Sequence, residues 1–131
     1  MIGLDTNVLV RYIMQDDAKQ SPKATKLIES LTAEEPGFVT VVTVVELYWV
    51  LTSCYALSSQ NLKEALDIML RSKEIVVEQA EQIMRALRVF DHGTADFADC
   101  LIERIAAAAG CTQTMTFDQG AAKHAGMTLI R

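Results

Sequence analysis

Residues 2–7 have the sequence IGLDTN, a short apolar run that ends in a carboxylate, a hydroxyl and an amide. The apolar part predicts a buried strand, and Val8, Leu9 and Tyr12 then follow at helical spacing. A strand therefore runs into a helix, with Asp5 at the junction. Because ligands of an open α/β sheet bind outside the carboxyl ends of its strands, we predict a functional role for this acid. A simpler interpretation is that it only caps the helix.

The composition predicts one domain over residues 1–131, with a mostly aliphatic core, because half of the residues are hydrophobic and only 6% are aromatic. Cys54, Cys100 and Cys111 are odd in number, lack metal-ligand spacing and lie in apolar segments, which favours reduced core thiols in a cytoplasmic protein. A signal peptide is not expected, and no apolar run reaches the ~18 residues that a membrane span needs.

The net charge is −5, from 17 acidic and 12 basic residues. This balance argues against a protein that coats nucleic acid through bulk positive charge. It does not exclude an enzyme that acts on nucleic acid through bound cations, because an acidic site attracts phosphate once a metal is present.

Strands alternate with helical patterns along the rest of the chain. Four further strands are predicted, at residues 38–42, 75–77, 112–117 and 127–130. Five of the helices between them are predicted to start at Ser21-Pro22, Thr43, Ser58-Ser59, near Ala80 and at Thr94. The helix that starts at Thr94 is predicted to end at Gly110. A further short helix is predicted from Asp118 to a stop at Gly126. Such βαβ units predict an α/β fold with a mostly parallel sheet covered on both faces.

The chain places acids repeatedly where a strand ends or the next helix begins. Parallel strands bring these positions to one rim of the sheet, although they are far apart in sequence. The acids that we expect on this rim are Asp5, Glu46, Asp96, Asp99 and Asp118.

Each rim acid also has a purely structural interpretation. Glu46 fits a capping box that starts at Thr43, Asp118 fits a helix cap, and Asp96 fits an acid that favours the helix dipole. Asp99 is harder to explain in this way, because it lies in an apolar stretch beyond the region where capping helps.

Carboxylates that are brought together repel one another, or one of them takes up a proton. A divalent cation relieves this repulsion, and oxygen ligands are those that Mg²⁺ and Mn²⁺ prefer. Acid sites without His or Cys suit two-metal phosphoryl transfer. His92 and His124 do not fall on the rim, and we interpret them as surface residues. Polar neighbours that would orient the acids or bind a phosphate are Thr6, Asn7 and Thr116.

The ordered motifs resemble those of a PIN domain, and more closely those of VapC-type toxins of bacterial toxin–antitoxin pairs. The motifs are the LDTN of residues 4–7, the VEL around Glu46, DFADCLI at 96–102 and TFD at 116–118. The resemblance implies a three-layer α/β/α sandwich with a mostly parallel central sheet. It also implies a Mg²⁺- or Mn²⁺-dependent endoribonuclease that cleaves RNA, forms a homodimer and is blocked by a cognate antitoxin.

By this resemblance the metal-binding and catalytic acids are Asp5, Glu46, Asp99 and Asp118, with supporting roles for Thr6, Asn7, Asp96 and Thr116. Of the two acids that are three residues apart, Asp99 is predicted to be the stronger ligand and Asp96 the cap-like one.

Two other readings compete with this hypothesis. A haloacid-dehalogenase-like phosphatase would use Asp5 as its nucleophile, but it needs a second Asp two residues on, where this chain has Asn7, and a Lys on the rim, where none falls. A catalytically inactive PIN scaffold would bind only RNA or a protein partner. The complete set of acids argues against such a scaffold, because unpaired carboxylates are costly without a metal.

Overall fold

The computed structural model of the chain describes residues 1–91 and 95–131. Within these ranges it contains five short strands and seven helices. Contacts between Cα atoms divide the chain into two compact units, Met1–Glu78 and Gln79–Arg131, each with its own sheet. The sequence predicted one domain over residues 1–131, and that organisation stays a prediction.

The first unit has a parallel three-stranded sheet in the order β1-β2-β3. Gly37 of the central strand allows a close approach, since a Cβ at this position would lie 2.7 Å from Cδ1 of Leu4. Its elements are β1 (Ile2–Gly3), α1 (Thr6–Met14), α2 (Gln20–Ser30), β2 (Gly37–Val39), α3 (Val41–Ser53), α4 (Ser59–Arg71) and β3 (Ile75–Val77).

The second unit has a parallel pair of strands and three helices. Its core lies between the first two helices, where Ile83, Ala86 and Phe97 are fully buried. Phe90 and Phe97 meet edge to face, with ring centroids 6.0 Å apart. The elements are α5 (Ala80–Asp91), α6 (Phe97–Ala108), β4 (Met115–Thr116), α7 (Gln119–His124) and β5 (Thr128–Leu129).

The predicted α/β fold class is confirmed, because all strand pairs in the described ranges are parallel and helices separate the strands. All five predicted strands are present, although most are shorter than predicted. Gly110 and Gly126 follow the ends of α6 and α7 with φ of 101° and 79°, as predicted for residues that stop helices.

Two predicted helix starts are wrong. The strand predicted at 38–42 ends at Val39, and α3 begins at Val41 because the Thr40 hydroxyl accepts a hydrogen bond from the Thr43 N–H at 3.1 Å. Ser21 does not cap α2 but is buried within it. The side chain of Asp17 instead accepts hydrogen bonds from the N–H groups of Lys19 and Gln20, where the helix begins.

The start predicted at Ser58 is confirmed, since this residue caps α4. The long helix predicted from residue 94 begins at Phe97, and Thr94 and His92 lie outside the described residues.

Helix α3 has the sequence VVTVVELYWVLTS, which is apolar on most sides. Leu47 and Leu51 are fully buried, which contributes about 1.5–3 kcal/mol each. Val42 and Trp49, however, are 65% and 53% exposed, so only one face of the helix belongs to the core of its unit.

The core-thiol prediction holds for one cysteine of three. Cys100 is buried, whereas Cys54 and Cys111 are exposed, and all three are free thiols. Cys54 follows the end of α3 and Cys111 follows the Gly110 turn, so both lie in segments that are apolar in sequence but outside the core. Among the described residues, no helix combines the length and the apolar character that crossing a membrane requires.

Candidate functional site

Strand ends of the first unit collect polar groups at one edge of its sheet. The three strands are parallel and in register, with Gly3 beside Phe38 and Phe38 beside Val76, so their carboxyl ends lie together. The residues that follow these ends include Asp5 after β1, Thr40 after β2 and Glu78 after β3. Of these three residues only Asp5 was among the predicted rim acids, and the clustering of the predicted acids stays a prediction.

Asp5 caps α1. Its Oδ1 accepts a hydrogen bond from the Val8 N–H at 3.0 Å, and its backbone is extended, as helix caps require. The side chain is exposed, and the capping bond is made by one carboxylate oxygen. The second oxygen, Oδ2, remains free to bind a ligand while the first holds the helix.

Glu46 does not complete the predicted capping box. Because α3 starts at Val41, Glu46 lies in the second helical turn, beyond the reach of a cap. Its Oε1 instead accepts a hydrogen bond of 2.9 Å from the Thr6 hydroxyl, which is 40 residues away in sequence. The bond joins the start of α1 to α3 and places Glu46 beside the residue that follows Asp5.

Glu78 was not among the predicted residues. It follows β3, and its Oε1 accepts a hydrogen bond of 2.9 Å from the Val41 N–H at the start of α3. Glu78 therefore anchors the helix that carries Glu46. The sequence carried the signal, an acid directly after a strand, but the rim was assigned without it.

Thr6 and Asn7, the predicted supporting residues of this unit, form hydrogen bonds with residues other than Asp5. Thr6 orients Glu46 rather than Asp5. The Asn7 side-chain amide donates to Oε1 of Gln20 at 3.3 Å, so it ties α1 to α2 and does not contact Asp5.

Asp96 caps α6 in the second unit. Its Oδ1 accepts bonds from the N–H groups of Ala98 at 2.7 Å and Asp99 at 3.2 Å. The cap-like role predicted for Asp96 is therefore confirmed. Asp99 is the third residue of the helix, so its predicted place beyond the first turn is wrong. The helix starts three residues later than predicted, which moves Asp99 into the turn where an acid favours the dipole.

Asp118 caps α7 in the same manner. Its Oδ1 accepts bonds from Gly120 N–H at 2.7 Å and Ala121 N–H at 3.3 Å. The hydroxyl of Thr116 accepts a bond from the backbone N–H of Asp118 at 3.0 Å, and its predicted role in supporting the carboxylate stays a prediction. His124 is the exposed last residue of α7, in agreement with a surface role.

Asp96 and Asp118 act electrostatically on Asp99. Burial raises the pKa of the Asp99 carboxyl, and the negative charges of Asp96 and Asp118 raise it further. Burial also raises the pKa of the neighbouring Cys100 thiol to about 11, and the charges of Asp96, Asp99 and Glu103 raise it further. Cys100 is therefore an inert core thiol, and Asp99 is a carboxylate whose charge this unit disfavours.

The structure thus shows two acid groups, which we name by their members. The first acid group is Asp5 with Glu46 and its partner Thr6, and the second acid group is Asp96, Asp99 and Asp118. Each lies within one unit, and that all these acids share one rim stays a prediction. In the described part of the chain, no three His, Cys, Asp or Glu side chains form a group able to hold a metal ion.

The donor chemistry of both groups nevertheless fits Mg²⁺ or Mn²⁺. All candidate donors are carboxylate oxygens, which these hard cations prefer. The capping bonds of Asp5 and Asp118 use Oδ1 and leave Oδ2 for a ligand. Burial, followed by the charges of Asp96 and Asp118, raises the pKa of Asp99, and a bound cation would favour its charged form.

Parallel strands separated by helices define an α/β protein, and the acids Asp5 and Asp118 cap the helices that follow β1 and β4. The model of the PIN domain family matches residues 2–127, and the chain belongs to that family. PIN domains are generally metal-dependent nucleases. A search of curated protein sequences gave no match.

Proposed function

We propose that the chain is a Mg²⁺- or Mn²⁺-dependent endoribonuclease that hydrolyses RNA by a two-metal type of reaction. The observation that carries this proposal is the second acid group, where burial and two neighbouring carboxylates disfavour the charge of Asp99. A protein that keeps such a group gains from a bound cation. Membership of a family of nucleases supports phosphodiester hydrolysis as the reaction.

The proposed metal-binding acids are Asp5, Glu46, Asp99 and Asp118. Bound divalent cations would supply an activated water and stabilise the leaving oxygen. The role of the chain is to fix its carboxylates in place. Backbone N–H groups orient Asp5 and Asp118, and a hydroxyl orients Glu46. Asp96 holds the start of the helix that carries Asp99.

Metal removal and one substitution test the proposal. Purified protein should cleave a susceptible RNA with Mg²⁺ or Mn²⁺ and stop in EDTA. Asp5→Asn should abolish cleavage while leaving the protein folded, because Asn is as good a helix cap as Asp but lacks the charge. Glu34→Gln is a matched control, since it removes one exposed carboxylate of the same unit outside the first acid group. Undiminished cleavage in EDTA would refute the metal mechanism.

We further propose that the protein is the toxin of a type II toxin–antitoxin system, with a cognate antitoxin that blocks the acidic site. The motif resemblance to VapC-type toxins supports this role. Expression of the wild-type chain alone should arrest growth, and Asp5→Asn should relieve the arrest. Toxicity that persists in this variant would count against the toxin role.

A homodimer is part of the same proposal. Val42 and Trp49 on α3 support it, because each is a large apolar side chain that is more than half exposed. Sedimentation of the purified chain should therefore give twice the mass of one copy.

The two alternative functions predict different outcomes in the same assays. An inactive scaffold would bind RNA but not cleave it with any metal. A phosphatase would hydrolyse p-nitrophenyl phosphate, but Asn7 lies in α1 and binds Gln20, so no acid–base residue stands two positions after Asp5. The side-chain contacts therefore favour the nuclease over the phosphatase.

A further inference from the structure

A small open cavity, with polar side chains at one side and aliphatic ones at the other, lies between α1 and α2 of the first unit. Its volume is about 240 Å³. Four of its lining residues carry hydrogen-bond donors, namely Asn7, Arg11, Gln20 and Lys23, and the others are aliphatic. The cavity shares the first turn of α1 with the first acid group, because Asn7 follows the Thr6 that binds Glu46.

Existing hydrogen bonds orient the donors of this cavity. Oε1 of Gln20 accepts from Nε of Arg11 at 2.8 Å and from the Asn7 amide at 3.3 Å. Because both donors occupy the same oxygen, the NH₂ group of Gln20 is turned away from them and is able to donate to a ligand. Nη1 of Arg11 is held by Asp16 Oδ1 at 3.4 Å and by the Tyr55 hydroxyl at 3.3 Å. The guanidinium is therefore fixed in place before any ligand arrives.

Lys23 provides the positive charge that is not committed elsewhere. It is exposed on α2, and within the described ranges it takes part in no ion pair. Two cations and two amide side chains around one cavity contrast with the net charge of −5 of the whole chain. Cations and amide N–H groups are the usual protein partners of backbone phosphates.

We propose that this cavity binds a phosphate of the RNA backbone that flanks the cleaved bond, with its sugar against the aliphatic wall formed by Val8 and Leu27. The proposal rests on the proposed ribonuclease function. It adds a binding subsite that holds the substrate strand on the side of α1 and α2. Arg11 and Lys23 contact the phosphate, and Gln20 donates a hydrogen bond to it.

Binding in the absence of metal tests the subsite without any cleavage. The probe is a short fluorescein-labelled single strand of 2′-O-methyl RNA of mixed sequence, titrated in EDTA at several salt concentrations and followed by fluorescence anisotropy. Lys23→Ala should reduce the slope of log Kd against log salt by about 0.7, as expected when one phosphate contact of a single strand is lost. Gln20→Glu should weaken binding about 10-fold, since it keeps the acceptor for Arg11 but places a negative charge in the cavity.

Lys26→Ala is the matched control. Lys26 is exposed on the same helix but does not line the cavity, and each of the three substitutions lowers the net charge of −5 by one. The Lys26 variant should keep the wild-type salt slope. Equal slopes for the two lysine variants would show that only bulk charge matters and would overturn the subsite. Wild-type protein that fails to bind the probe would overturn it as well.

The result is independent of the nuclease proposal. In one outcome, Lys23→Ala but not Lys26→Ala has a reduced salt slope, and wild-type protein cleaves no RNA with Mn²⁺. The subsite then stands and the nuclease function fails. If cleavage depends on metal and all variants bind the probe like wild type, the nuclease function stands. That last outcome would leave the cavity to an acidic segment of a protein and would contradict the RNA assignment.

Discussion

The two acid groups of the molecule stabilise their carboxylates in different ways. In the first, Glu46 accepts a hydrogen bond from the hydroxyl of Thr6, a residue distant in sequence. In the second, Asp99 is half-buried near Asp96 and Asp118, and its pKa is raised by burial and by both of these charges. In the first unit a neutral hydroxyl thus stabilises the carboxylate of Glu46, whereas in the second unit the carboxylate of Asp99 lies near two other carboxylates.

The difference indicates which group depends more on a cation. A carboxylate that accepts a good hydrogen bond is stable without metal, and a carboxylate that is desolvated beside other acids is not. We therefore expect substitutions in the second acid group to change the response to metal most. Substitutions of Thr6 and Asp17, which are residues of the first unit outside the proposed metal-binding acids, should mainly change geometry and acid stability.

Within the second acid group, and of the predictions that follow, the largest effect is expected at Asp99. Asp99→Asn should lower kcat/KM for RNA cleavage by about 100-fold or more, whereas Asp96→Asn should lower it by about 10-fold or less, as for groups that act behind a ligand. A metal that binds only the native state stabilises it, so Mn²⁺ should raise the Tm of the wild type. Asp99→Asn should lose this rise, and Asp96→Asn should keep most of it.

Both variants should fold, which makes this comparison clean. Asn preserves the capping bonds that Asp96 makes to two N–H groups. In EDTA, Asp99→Asn should melt no lower than wild type, because the substitution removes a charge that the fold disfavours. If Asp96→Asn erases the Mn²⁺ shift and Asp99→Asn leaves it intact, the assignment of the two acids is reversed.

Local sequence patterns predicted the positions of most acids in the second acid group. An acid next to a helical pattern is a cap, and Asp96, Asp118 and Asp5 all cap helices. The same chemistry serves a cap and a ligand, because one oxygen holds the helix while the other stays free. The sequence therefore predicts the positions of these acids well, but it does not separate the two roles.

The sequence pattern did not predict the long-range hydrogen bonds of the first unit. The motif Thr43-x-x-Glu46 fits a local capping box, but the bond that forms joins Glu46 to Thr6. The helix starts earlier because Thr40 caps it and Glu78 binds its first N–H. β-Branched residues such as Val41 suit a strand in sequence, so only the tertiary capping contacts decide that they are helical.

An intermediate effect is expected at Thr6. Thr6→Val has nearly the same shape but cannot donate to Glu46, so kcat/KM should fall about 10- to 100-fold, as is typical when a residue that orients a ligand is removed. Thr6→Ser retains a hydroxyl and should stay close to wild type. Single-turnover cleavage at saturating Mn²⁺ measures the difference. A fully active Val variant would show that Glu46 needs no orientation from α1.

The smallest effect is expected at Asp17, whose pKa shifts in the opposite direction to that of Asp99. The Gln20 N–H lowers the pKa of this carboxyl below 3.8 most strongly, and the Lys19 N–H and the charge of Arg11 lower it further. A lowered pKa means that the unfolded chain binds the proton more readily than the folded chain. The stabilisation by Asp17 is thus complete above the pKa of the unfolded chain and is lost as the pH falls through the folded pKa.

Asp17→Asn should consequently be less stable than wild type at neutral pH, and the two unfolding curves should converge in strong acid. Urea unfolding in EDTA between neutral pH and pH of about 2 measures this convergence, because it spans the ordinary range of an Asp carboxyl. Glu34→Gln, at an exposed acid of the same unit, is the control and should leave the pH dependence unchanged. A gap between Asp17→Asn and wild type that is constant with pH would assign the effect to shape rather than charge. Such a result would remove the contrast between Asp17, whose charge is stabilised by N–H donors, and Asp99, whose charge is opposed by burial and by neighbouring acids.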